Sequence, residues 1–591
     1  MSIIMVQMNL RNIFKHPKER LDSKSLYSRF LILFFLFCLI LLVIFGLMTK
    51  SNVARTMSDF SSYFSALFFV LISSYIIVMI LGHSKKERYL LVYIILLAIF
   101  IRILGSALVI FFGMGKEGYL MGNAITYDGT AWFNTYSHIK ISDISYGFPA
   151  SVILYTLFYK IFSSDAHRPL IPLIILSLAG GLSAAFIYRF AKEFWGEQIG
   201  KFAGFVAAIT PEFAFHSWTH LREPVLSLGL SIALFGLALI HQKKTIKGIL
   251  VGFIGNAVVL SFHPGFGAGT TVIFLACFLL MKKETFKKSI MLFAMIMLLI
   301  IIGTNFATKG LWKQFSAKSV FTGSYISEKV LRVSKGEKEK EFKALSRSIF
   351  LKLPNVISIP AQIVYSATLP YLPIGFYWST WGFKIPLTIR AIGWQIVLPF
   401  LILGIFLSMN EKRKDKIIFL LALASLSIIS ISAIMNMGEL WDSTRYRSFG
   451  YPIFSCLIAY SMVNGWRKPK NSLLIILLSQ SANVGLILMY RMAGHGDLLT
   501  TILESVGLVV FFIAWFTVLR TISKSCIPNT QLHFQDSILI SFLLLIAGVF
   551  IVTASFISEI TGIRMPLLFF TFIAVFSISF FLKVTKVLRH T

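Results

Sequence analysis

Charge is scarce in this sequence, and acidic charge is scarcest. Asp and Glu together number 25 in 591 residues, against 56 Lys and Arg. Charged residues of both signs reach only 14% of the chain, where a soluble globular protein carries roughly 25%. That deficit excludes an ordinary soluble fold. Cysteine occurs four times, as Cys38, Cys277, Cys456 and Cys526. The first three lie inside apolar runs and none belongs to a CxxC pair, which excludes a disulfide scaffold, a zinc module and a thiol redox centre. A cleavable signal peptide is missing too. The first apolar run, at 30–48, is longer than a signal h-region, and no small-x-small site follows it. It reads as a retained helix with a cytoplasmic N-terminus.

Apolar side chains fill the space that charge leaves. Hydrophobic residues make up 57% of the chain and Phe alone occurs 57 times. They gather in runs of the length that crosses about 30 Å of hydrocarbon, roughly 20 residues each. The net charge of +31 sits in short clusters between those runs, such as Lys85, Lys86 and Arg88, or Lys412, Arg413, Lys414 and Lys416. A nucleic-acid-binding protein of equal charge would line one soluble face with its cations. Here the cations punctuate spans, which is the positive-inside pattern. The expected fold class is therefore an all-α polytopic membrane protein, a bundle of about 13–17 transmembrane helices with external interfacial helices.

The clusters order the chain into four stretches. Residues 1–114 hold a cytoplasmic segment and three helices, at 30–48, 63–81 and 90–112. Residues 115–303 form a central helical region with two external segments, 115–149 and 211–224. Its run at 150–162 is too short for a comfortable span and reads as an interfacial helix. Its hairpin is broken at His263-Pro264-Gly265. Residues 304–389 form a long external stretch of amphipathic or interfacial segments, with 355–389 either external or re-entrant. Residues 390–591 hold a span at 394–407, a short external loop with Arg445 and Arg447, and the last helices, ending with a cytoplasmic C-terminus.

Ionisable groups tucked against a membrane are costly, so they are the candidates for function. Three external places collect them. One is Thr126-Tyr127-Asp128-Gly129-Thr130-Ala131-Trp132, a carboxylate among aromatics that suits a general base; its bland alternative is a solvated loop Asp or an N-cap. A second is Leu221-Arg222-Glu223-Pro224, opening a long apolar helix, where Pro224 suits a first turn and Glu223 the positive end of the dipole. His216 and His220 beside it are a single i,i+4 pair with no carboxylate pattern, too little to assign a metal. The third holds Asp442, Arg445, Tyr446, Arg447 and Pro452. Anchoring arginines belong on the cytoplasmic side, so two on the outer side suit a phosphate.

In order and spacing these three places resemble the membrane glycosyltransferases of the GT-C fold, near the protein O-mannosyltransferase and aminoarabinose transferase branch. The likeness is greatest over 127–240 and around Arg445. It covers an acidic first loop (Asp128), an interfacial stretch from Tyr146 to Phe162, a basic-aromatic turn from Tyr188 to Trp195, a second loop from Pro211 to Pro224, and a late Arg445-Tyr446 with Pro452. Three helices, not one, precede the acidic loop, and the second loop carries no DxD or ExD pair for a divalent metal.

The resemblance implies an inverting transfer of sugar from a polyprenyl-phosphate donor to a glycan, lipid or protein acceptor at the outer surface. Asp128 and Glu223 would be the catalytic carboxylates, with Asp128 as base. Arg445, Arg447 and Arg222 would hold the donor phosphate. Tyr127, Trp132, Tyr146, His220 and Tyr446 would line the substrate. Rival readings are a polysaccharide polymerase or ligase using lipid-linked sugars, a transporter or flippase, and a membrane scaffold.

Overall fold

The structure, a computed structural model, describes residues 57–113, 123–144, 149–281, 367, 381–410, 415–435 and 442–465. The expected first helix at 30–48, most of 304–389, the last four spans and Tyr146 lie outside the described residues. Among the described residues every regular element is helical. In chain order they are α1 (Met57–Leu81), α2 (Lys85–Gly113), α3 (Asn123–Tyr136), α4 (Pro149–Phe162), α5 (Leu170–Trp195), α6 (Glu197–Ile209), α7 (Pro211–Phe215), α8 (Glu223–His241), α9 (Thr245–Phe262), α10 (Pro264–Met281), α11 (Trp381–Asn410), α12 (Lys416–Met435), α13 (Asp442–Arg447) and α14 (Tyr451–Asn464).

Six of these helices, α1, α2, α5, α8, α9 and α12, hold stretches long and apolar enough to cross a membrane. The chain is thus a polytopic helical membrane protein. One apolar core runs through the bundle from Ala66 to Met462, so the segment after residue 390 packs into the same body as the segment before 282. Helix α5 is the axis, with 89% of its apolar window buried, whereas α1 and α9 bury 33% of theirs. Large side chains such as Phe68, Ile72, Ile76 and Ile80 on α1, and Ile246, Leu250 and Ile254 on α9, face outward. That is the arrangement expected where lipid, not water, meets the outer face.

Helices α8 and α9 meet along glycine. A Cβ built on Gly236 would lie 2.6 Å from the Gly248 carbonyl oxygen, and one on Gly255 would lie 2.5 Å from that of Gly229. Two backbones this close gain dispersion along the whole seam, the usual means of joining helices in lipid, where apolar burial offers little. At the other joint, α5 turns into α6 at Gly196, whose φ of 91° suits a residue without a Cβ.

The two ends of the bundle differ in chemistry. At one end Glu87 on α2 accepts hydrogen bonds from Lys192 at 2.9 Å, from Tyr188 at 3.2 Å and from Arg189. These groups tie α2 to the end of α5, and the Lys85, Lys86 and Arg88 cluster lies there. At the other end gather α3, α4, α7, the 216–222 turn and α13, the elements that carry the candidate residues.

Two sequence expectations need correction here. The segment 115–149 contains the 14-residue helix α3 rather than only a polar loop. The span expected at 394–407 is the 30-residue helix α11, which begins at Trp381 and includes Arg390.

Candidate functional site

Asp128 lies on the inner face of α3 and is 2% exposed. Tyr159 of α4 donates to its Oδ1 at 2.5 Å. His167, on the loop from α4 to α5, reaches Oδ2 with Nε2 at 3.0 Å. His220, on the turn before α8, brings Nε2 within 3.2 Å of Oδ1. That same nitrogen lies 2.9 Å from the Pro169 carbonyl. Both neighbours of His220 Nε2 only accept, so this nitrogen carries the hydrogen. Burial alone would raise the Asp128 carboxyl, but His220, then His167, and the hydrogen bonds from His167 and Tyr159 outweigh it and hold the group below its ordinary value. Burial pushes the His220 imidazole down, and the Asp128 charge opposes it. The result is an ionised carboxylate in a dry setting, fixed by three partners from three elements.

Trp132, one turn along α3, stacks on the His167 ring with centroids 5.3 Å apart and meets Tyr159 edge-on at 5.6 Å. It therefore joins the Asp128 group.

The second group stands next to the first. Glu223 opens α8 and pairs with Arg445 of α13. Arg222 donates to the Phe262 carbonyl at 3.0 Å, which holds the end of α9 against this turn. Tyr127, the neighbour of Asp128, joins the two groups. Burial raises its phenol, against the pull of Arg222 and then Arg445. Tyr155 of α4 donates to the Leu221 carbonyl at 2.9 Å and meets the His220 ring edge-on. Its phenol feels both Glu223 and Asp128. Asp128, Glu223, Arg222 and Arg445 thus belong to one neighbourhood although they come from α3, α8, the turn before α8 and α13. Tyr446 turns instead toward His263 and Phe266, with ring centroids 6.4 and 5.9 Å away.

Arg447 belongs elsewhere. It and Arg390 of α11 converge on Glu212 of α7, which is fully buried. Arg390 Nε donates to Glu212 Oε2 at 2.5 Å, and Arg447 Nη2 to Oε1 at 3.1 Å. Tyr451 donates to the same Oε1 at 2.5 Å. The Arg447 guanidinium lies over Trp394 at 3.7 Å and that of Arg390 over Phe215 at 4.3 Å. A carboxylate, a phenol and two aromatic faces here offset the desolvation of two guanidiniums. Sequence reasoning missed Glu212 and Arg390. Both interrupt apolar stretches, which is the signal that could have flagged them.

Arg102, a cation inside a spanning stretch, also has a local explanation. It donates to the carbonyls of Ala98, Ala207 and Ala208 at 3.0 to 3.2 Å. The last two are terminal carbonyls of α6, so the guanidinium caps that helix at its negative end. Beside it lies a cavity of about 30 Å³ whose wall includes Ser183, His216, Glu223 and Ser455. Among the described residues, neither His216 nitrogen, nor Arg102 Nε, nor Glu223 Oε2 has a hydrogen-bond partner. A wall of that polarity and size suits one or two waters. Burial, then Arg390, Arg445 and Arg447, push the His216 imidazole well down. Among the described residues no group of three His, Cys, Asp or Glu is arranged to hold a metal ion.

Fold and site together define a polytopic helical membrane protein with an acidic, arginine-flanked and aromatic-lined centre at one end of its helices. No family model matches the sequence, and no curated protein does. Among solved structures, the chain is similar to the archaeal oligosaccharyltransferase AglB from Archaeoglobus fulgidus, solved with an inhibitory peptide and a dolichol-phosphate. Identity is 14% and the TM-score 0.39, over 69% of this chain and 56% of that one. The chain matches little more than half the length of that protein.

Proposed function

We propose that the protein is a membrane glycosyltransferase that moves a sugar from a polyprenyl-phosphate donor to an acceptor hydroxyl. The observation that carries this reading is the placing of a buried Asp128 against His220, which lies on the same turn that carries Arg222 and leads into the Glu223–Arg445 pair. A hydroxyl is a poor nucleophile until its proton is removed, which is the work of the centre built around Asp128. The leaving phosphate is a stable anion and needs cations rather than an acid, which is the work of Arg445 and Arg222. Attack from the face opposite the phosphate inverts the anomeric carbon. Glu223 orients Arg445 in this reading. Both arginines pair with a carboxylate, but the Arg445 side chain is 13% exposed and that of Arg447 only 2%, so this reading gives the phosphate to Arg445 and leaves Arg447 to Glu212.

The arrangement also favours chemistry over transport. The cation inside a span, Arg102, caps a helix and so has a structural duty. Asp128, Glu223, Arg222 and Arg445 gather at one end of the bundle, where a lipid-linked donor would present its phosphate and sugar. We place that end on the external side and the Lys85 end in the cytoplasm, following the basic clusters.

The test is sugar transfer in membranes containing wild type or Asp128→Asn, with a panel of radiolabelled polyprenyl-phosphate sugars. The variant should lose about 100-fold or more in rate at equal protein level. Equal rates would remove Asp128 from the reaction. No transfer by wild type from any donor of the panel would remove the reading itself.

A further inference from the structure

Asp128 has almost no surface to offer a substrate. It is 2% exposed, and Tyr159, His220 and His167 occupy its two oxygens. Of its two histidine partners, His220 is fully buried and His167 has a side chain 36% exposed. His167 is nevertheless held in place. Its Nε2 is anchored on Asp128, Trp132 stacks on its ring, and Tyr159 lies tilted against it at 5.6 Å. The loop beneath it is equally fixed. Arg168 makes two hydrogen bonds to Asp165, at 2.6 and 2.9 Å, and a third to Ser163, whose hydroxyl closes on the Ala166 carbonyl. A partly exposed histidine is thus held in one orientation. Its Nε2 faces a carboxylate that only accepts, so Nε2 carries the hydrogen. Nδ1 is then the basic nitrogen, and no hydrogen bond from another described residue occupies it.

We propose that His167 is a catalytic residue that meets the acceptor, and that Asp128 acts through it. This rests on the transferase reading above and names the atom that receives the proton. His167 Nδ1 takes the proton of the acceptor hydroxyl. The acceptor oxygen forms its bond to the anomeric carbon as the bond from that carbon to the phosphate oxygen breaks. The electron pair leaves with the polyprenyl phosphate, beside Arg445 and Arg222. The imidazolium formed is balanced by the Asp128 carboxylate and later releases its proton to water. Trp132, partly exposed and stacked on the ring, gives the acceptor an aromatic face of the kind that suits a sugar or a phenol.

The test uses the full chain in membranes, with the radiolabelled polyprenyl-phosphate sugars as donors and a photoreactive polyprenyl phosphate to measure donor capture. His167→Gln keeps a donor toward Asp128 but offers no base, and His167→Ala opens space for added imidazole. Both variants should transfer about 100-fold more slowly, keep donor capture, and gain rate with imidazole only in His167→Ala. A His167→Gln rate within about threefold of wild type would overturn the proposal and leave the transferase reading standing. Loss of donor capture in both variants would make His167 a packing residue and overturn it as well. A wild type that neither captures nor transfers would end both readings, a result distinct from the other two.

Discussion

At the scale of single residues, buried charge is what organises this protein. Glu212 is the clearest case, because two arginines and a tyrosine from α11, the end of α13 and α14 depend on it. Removing the carboxylate would leave two guanidiniums in a dry interior. Breaking a buried pair from one side costs about 3–5 kcal/mol. Glu212→Ala should therefore lower the thermal midpoint of the detergent-solubilised protein sharply, and Glu212→Gln less, since the amide oxygen can still accept from Arg447 and Tyr451, which share Oε1. An unchanged midpoint in Glu212→Ala would mean that the cluster contributes nothing to stability. None of this pairing was readable in the sequence. Glu212 is 178 residues from Arg390 and 235 from Arg447, and no local rule connects such positions. Arg445 and Arg447 looked equivalent as a pair two residues apart. The turn of α13 sends one to Glu223 and the other to Glu212.

At the scale of elements, the apolar runs were legible and the polar helix was not. The short helix expected at 150–162 is α4, and the hairpin break at His263-Pro264 is the joint of α9 and α10. Each follows from length and composition, or from proline removing an amide donor and restricting its predecessor. Helix α3 escaped because its buried positions are Tyr127, Asp128, Ala131, Asn134 and Thr135. Those positions have helical spacing, but most are polar, so no apolar stripe marks the face. Helix α11 begins earlier than expected, and Glu212 neutralises the Arg390 in its added turns inside the bundle.

The glycine seam offers a test at this same scale. At Gly236 a side chain would strike the backbone of Gly248 and Gly252, which cannot turn aside. Gly236→Val should cost about 1–3 kcal/mol and lower the thermal midpoint. Gly269→Val on α10, where nothing lies within 4 Å of the added Cβ, should not. Equal midpoints for the two variants would show that α8 and α9 do not depend on close approach.

At the scale of the whole molecule, the question is which end faces out. Tyr136, at the end of α3, and Ile246, near the start of α9, are both well exposed. They belong to opposite ends of the bundle. With the site end external, a cysteine at Tyr136 should react with a membrane-impermeant maleimide in intact cells, and one at Ile246 only after the membrane is opened. The reverse pattern would invert the topology and put the Asp128 centre in the cytoplasm.

The class of protein was determined by the sequence alone, because the deficit of charge and the runs of about 20 apolar residues leave only a membrane as solvent. It also singled out Asp128, Glu223 and Arg445, since ionisable groups beside apolar spans stand out wherever they fall. Which of those groups share a site was decided by tertiary structure. Helices that cross in alternating directions return distant loops to one end of the bundle, so neighbours in space are set by packing rather than by position in the chain. For the same reason His167, an ordinary loop histidine in the sequence, became the exposed partner of a buried carboxylate only when α4 and α5 brought it against α3.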